Sequence, residues 1–71
     1  MIYLDEYLKG FKGSHILLSI NGKDIKIMTK TMLEDEFTTT NKLVESHHST
    51  YDKDSDTVIT KINVSWNGGK R

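Results

Sequence analysis

The sequence predicts an α+β domain in which an N-terminal helix packs on an antiparallel β-sheet of about four strands. Three observations carry that prediction: apolar residues at helical spacing in the first eleven positions, an Asn-Gly pair between two alternating apolar runs, and a second alternating run from Thr57 to Trp66. Residues 1–67 of the 71 make a single small domain, and residues 68–71 are expected as a mobile tail. A chain this short buries only about 60% of the surface its unfolded form exposes, so every apolar side chain matters.

The helix rests on Leu4, Tyr7, Leu8 and Phe11, which fall at i, i+3, i+4 and i+7. Asp5 and Glu6 come early and Lys9 and Lys12 late, matching the helix dipole. Gly10 or Gly13 is expected to end it in the left-handed conformation that glycine adopts without steric conflict. The competing assignment makes "MIYL" an edge strand.

In "SHILLSINGKDIKIM", residues 14–28, Asn21 and Gly22 are the two-residue loop of a hairpin. An uninterrupted register then places Ile20 opposite Lys23, Leu18 opposite Ile25, Ile16 opposite Ile27 and His15 opposite Met28. Side chains alternate, so Ile16, Leu18, Ile25 and Ile27 share the core face. Burying each contributes roughly 1.5–3 kcal/mol.

Residues 30–50 carry mixed signals. "TMLE" at Thr31 to Glu34 has the spacing of a capping box leading to Leu33 and Phe37, but "TTTN" at Thr38 to Asn41 is poor in helix formers. At most a short helical turn is expected there, with a strand running from about Phe37 through "KLVESHH". The run "TVITKINVSW" sets Val58, Thr60, Ile62, Val64 and Trp66 against Ile59, Lys61, Asn63 and Ser65, as in a half-buried strand. The polar turn "DKDSD" before it predicts a second hairpin, with Tyr51 near Val58 and Leu43 near Trp66.

Charge cancels overall but is segregated along the chain. Residues 1–30 balance at +2, residues 31–56 at −5 and the remainder at +3. Such a dipolar surface can orient a charged protein partner. There is no cysteine, which removes thiolate chemistry and fits a reducing, cytoplasmic setting. No apolar run approaches a membrane span, and the first residues carry acids where a signal peptide carries bases. Nine lysines to one arginine, with abundant Ile, Asn, Asp and Thr, suggest an AT-rich coding sequence from a low-GC bacterium or one of its phages or mobile elements.

The candidate chemistry is sparse. His47 and His48 are neighbours on a strand and so point to opposite faces, which prevents them from sharing a metal ion. Asp52, Asp54 and Asp56 resemble the start of a calcium loop, but the sixth and twelfth places hold Thr57 and Asn63 instead of glycine and glutamate. "NVS" at Asn63 to Ser65 matches a glycosylation acceptor within a predicted strand. "NGGK" lacks the Ser or Thr and the helix that a phosphate loop requires, and no nucleophile elbow is present. The expectation is therefore no enzyme, no metal, no cofactor and no small-molecule substrate.

A helix followed by a hairpin turning at Asn-Gly, as in "LDEYLKGFKGSHILLSINGKDIKI", resembles the layout of the Sm-like RNA-binding barrels over about the first 27 residues. That resemblance implies, as the alternative fold, a small SH3/Sm-like β-barrel with an N-terminal helix, and as the alternative function an oligomeric RNA binder. The second strand, "KIMTKTM", has no glycine where such barrels bend, and no nucleotide-pocket motif follows, so no RNA-binding residue is carried over. Lys9, Lys12, Lys23, Lys26 and Lys30 are the candidate basic patch, though a neutral chain with one arginine does not favour nucleic acid.

The uninterrupted register leaves His15, Leu17, Lys26 and Met28 on the hairpin face that the core does not claim, and Ile59 extends it if the second hairpin joins the same sheet. Apolar groups on a second face need cover from protein. The favoured expectation is a small non-enzymatic regulatory protein that uses this face to dock on a protein partner or to form a homo-oligomer.

Overall fold

A computed structural model describes residues 2–66, and the expected tail at residues 68–71 lies outside them. The elements are β1 (Ile2–Tyr3), α1 (Leu4–Lys9), β2 (His15–Ile20), β3 (Lys23–Met28), α2 (Lys30–Glu36), β4 (Leu43–Asp52) and β5 (Thr57–Ser65). The strands form one sheet in the order β1-β4-β5-β2-β3, antiparallel throughout except for the parallel pair β2–β5. The α+β class holds, with five strands instead of about four. The sheet is open, with β1 and β3 at its margins, so the SH3/Sm-like barrel alternative does not.

Both readings of "MIYL" hold in succession. Ile2 and Tyr3 pair with Val44 and Leu43, and α1 begins at the next residue. Leu4 and Leu8 are fully buried, while Phe11 lies past the helix end and packs against the core from there. The helix does not stop in the left-handed region, because Gly10 has φ −99° and its N–H bonds the Tyr7 carbonyl at 3.2 Å.

The first hairpin turns where expected, with φ 51° at Asn21 and 85° at Gly22. Such a turn needs positive φ at both positions, which Asn and Gly supply most readily. Ile20 pairs with Lys23 and Ser19 with Asp24, but a β-bulge then shifts the register, so that Leu18 meets Lys26, Leu17 meets Ile27 and Ile16 meets Met28. This corrects the uninterrupted register. Met28 is buried at 2% exposure, whereas Ile25 and Ile27 are 41% and 51% exposed. One extra residue in a strand exchanges the faces of everything beyond it. Asp24, on the turn side of the bulge, bonds Lys61; beyond the bulge Lys26 bonds Glu36 of α2 and Met28 turns inward next to the start of that helix.

The segment after Met28 is more helical than expected. The α2 helix has seven residues, and its N-cap is Thr29, whose Oγ1 accepts from the Met32 N–H at 3.2 Å. A Thr31 box is therefore not the start signal; the hydroxyl two positions earlier is. Leu33 is fully buried and Phe37 ends the helix in an extended conformation.

Lys42 anchors the entry to β4. It is only 3% exposed, and its Nζ donates to the Thr38 carbonyl at 2.7 Å and to Asn41 Oδ1 at 3.3 Å. The amine lies 4.5 Å from the centre of the Trp66 ring and 5.9 Å from that of Phe37, a cation–π arrangement. Burial holds its pKa below the ordinary 10.5. In the window just below that value the unfolded chain binds more protons than the folded one, so this group makes stability rise with pH there. Tyr7, whose burial raises its pKa above 10.0, acts oppositely as pH climbs past that value.

The second hairpin pairs Tyr51 with Val58 as expected, but a shift between Val44 and Ser46 moves Leu43 opposite Ser65 instead of Trp66. In the turn, Asp52 accepts from the Asp54 N–H at 3.2 Å and from the Ser55 hydroxyl at 2.9 Å. Its carboxylate is thus committed to shaping the loop.

Asn21 ties the two hairpins together. Its Nδ2 donates to the Trp66 carbonyl at 2.6 Å, its Oδ1 accepts from the Trp66 N–H at 3.0 Å, and its own N–H bonds the Val64 carbonyl at 2.9 Å. The side-chain amide thus extends the β2–β5 pairing by imitating a peptide unit. Asn21→Gly keeps the turn conformation and removes both side-chain bonds, so chemical denaturation is expected to show a loss of about 1–2 kcal/mol. An unchanged midpoint would mean that water replaces the link without loss.

Leu4, Leu8 and Leu33 of the helices close over Ile16, Leu18, Met28, Val44, Ile62 and Val64 of the sheet. Both helices therefore sit on one face. The other face has no helix over it among the described residues.

Candidate functional site

Alternation from the buried residues fixes what the uncovered face presents. Ile16, Leu18, Thr60, Ile62 and Val64 point to the helices, so Leu17, Ile59 and Lys61 point away. The parallel register sets His15 beside Ile59 and Leu17 beside Lys61, and the hairpin register adds Ile27 beside Leu17. From β4 come Thr50, paired with Ile59, and His48, paired with Lys61.

These residues border a shallow concavity of about 260 Å³. Leu17, Ile27 and Ile59 give it an apolar floor, and His48, Thr50 and Lys61 give it a polar rim. Lys61 Nζ is held 3.3 Å from Asp24 Oδ1, which fixes one side of the rim. Ser19, next to Asn63 in the register, is buried at 1% exposure despite lying on this face.

Of the expected interaction residues, the structure brings His15, Leu17 and Ile59 together on this face. Met28 is not there, because the bulge turns it into the core and puts Ile27 in its place. Lys26 is diverted to Glu36 of α2, 2.7 Å away. Ile27, His48, Thr50 and Lys61 were not among the expected residues. The first was hidden by the bulge, and the others depend on the parallel β2–β5 pairing, which has no local signature.

Of the candidate basic patch, Lys9 pairs with Glu6 at 3.1 Å and Lys26 with Glu36, while Lys12 lies between α1 and β2, Lys23 opens β3 and Lys30 opens α2. His47 and His48 part as expected: the His47 ring packs on Tyr7 with centroids 5.0 Å apart, and His48 lines the concavity of the opposite face. Among the described residues no group of three or more His, Asp or Glu side chains is placed to hold a metal ion. Tyr51 donates to Asp56, a bond that raises the phenol's pKa, with burial adding to the effect. No helix among the described residues is long and apolar enough to cross a membrane.

No protein-family model, no curated protein and no solved structure matches this chain.

Proposed function

We propose that this chain is a non-catalytic binding protein of the cytoplasm that docks on a protein partner, as a regulator or inhibitor, through the uncovered face of its sheet. The observation that carries the reading is the convergence of Leu17, Ile27 and Ile59, from three adjacent strands, on one concavity. A patch of this composition is suited to receive an apolar side chain from a partner, with His48 on the rim to bond the surrounding polar groups. Single exposed apolar residues need no explanation, but three on adjacent strands around one hollow do.

Leu17→Asp tests it. The variant is expected to remain folded, with a stability loss of about 1–2 kcal/mol, because Leu17 is only partly buried. It is also expected to lose the partner that the wild-type chain captures stoichiometrically from its host. Unfolding of the variant would assign Leu17 to the core, and unchanged capture would remove this face from the binding site.

A further inference from the structure

The two long margins of the sheet are built differently. On β3 the bulge at Ile25 interrupts the ladder, and Lys23 and Lys26 stand along the strand. Bulges and lysines at an edge discourage further strand pairing. The β4 margin carries its own bulge at its start, at Glu45, and beyond that residue it has neither protection. β1 covers it only at Leu43 and Val44, so Glu45 to Asp52 have no strand on their outer side among the described residues. Seven successive residues, Ser46 to Asp52, thus present an open ladder without lysine, proline or glycine.

We infer that this margin pairs antiparallel with the same margin of a second copy, joining two sheets into one of ten strands. The two-fold axis of such a pair runs normal to the sheet, so paired residues must have the same orientation, and the axis passes midway between one residue and its own copy. Centring it on Ser49 sets His48 opposite Thr50, His47 opposite Tyr51 and Ser46 opposite Asp52. Just outside the ladder, Glu45 at the bulge of one copy and Lys53 in the turn after β4 of the other then flank each end, so opposite charges lie together twice. Centring it on His48 instead sets histidine against histidine and Glu45 against Tyr51. The charge pattern therefore selects the Ser49 register. Both copies keep their helices on one side, and their two concavities lie on the other.

The test is light scattering on the full chain over a wide concentration range, with charge-exchange variants at the exposed positions Glu45 and Lys53. The wild type is expected at twice the 8.2 kDa monomer mass. Lys53→Glu, which sets acid against acid at both ends, should weaken the dimer by about tenfold. Glu45→Lys combined with Lys53→Glu should restore it. Leu17→Asp should leave the dimer intact, which separates this inference from the docking reading of the open face. A monomeric wild type overturns it. So does a dimer that ignores Lys53→Glu, is not recovered by the exchange, or is dissolved by Leu17→Asp.

Discussion

Aspartate at position 28 will unfold the domain, whereas aspartate at position 27 will leave it folded. The two positions are adjacent on one strand, and an unbroken hairpin ladder predicts the opposite order. In the structure Met28 is 2% exposed among Ile16, Leu33 and the rest of the core, while Ile27 is 51% exposed beside the concavity. Met28→Asp removes a buried thioether and puts a carboxylate without a partner among apolar groups, a loss of about 5 kcal/mol or more. Ile27→Asp forfeits a half-buried side chain and some strand propensity, about 1 kcal/mol. Circular dichroism melts of the two variants read the difference directly. Equal losses, or a greater loss at Ile27, would mean that the bulge is absent in solution.

Truncation of Ile62 to alanine should lower the melting temperature by about 15–30 °C. Ile62 is fully buried on β5, with Leu18 of β2 on one side and His47 of β4 on the other. Removing such a side chain costs about 2–5 kcal/mol, because the surrounding strands cannot collapse into the space. A chain of this size has about 4–11 kcal/mol in all. Ile62→Val, which removes one methylene, should cost only about 0.5–1.5 kcal/mol. If the alanine variant melts within about 5 °C of the wild type, the centre of the sheet is not where the stability resides.

Local pattern made much of this fold legible. The spacing of Leu4, Leu8 and Phe11, the Asn21-Gly22 turn, and the alternation of Thr60, Ile62 and Val64 all report interactions between residues close in sequence. The two bulges were not legible, and each altered a pairing: Met28 replaced Ile27 in the core, and Ser65 replaced Trp66 opposite Leu43. A bulge leaves the alternation of residue types intact, so periodicity cannot reveal it. The α2 helix was hidden by its cap at Thr29, outside the stretch that looked like a capping box. Leu17 was identifiable on the uncovered face from alternation, and Ile59 on condition that the second hairpin joins the same sheet, but Lys61 and His48 required knowing that β5 lies between β2 and β4.

That central placement of β2 beside β5 also governs how the chain acquires its structure. The two strands at the middle of the sheet come from distant parts of the sequence, and the closure between Ile20 and Thr57 loses about 3 kcal/mol of chain entropy before any contact there compensates it. The N-terminal hairpin has no sheet to join until β5 arrives. β5 must therefore leave the ribosome before the β2–β3 hairpin can take its place in the sheet, and that apolar hairpin emerges earlier, exposed, in search of its late partner.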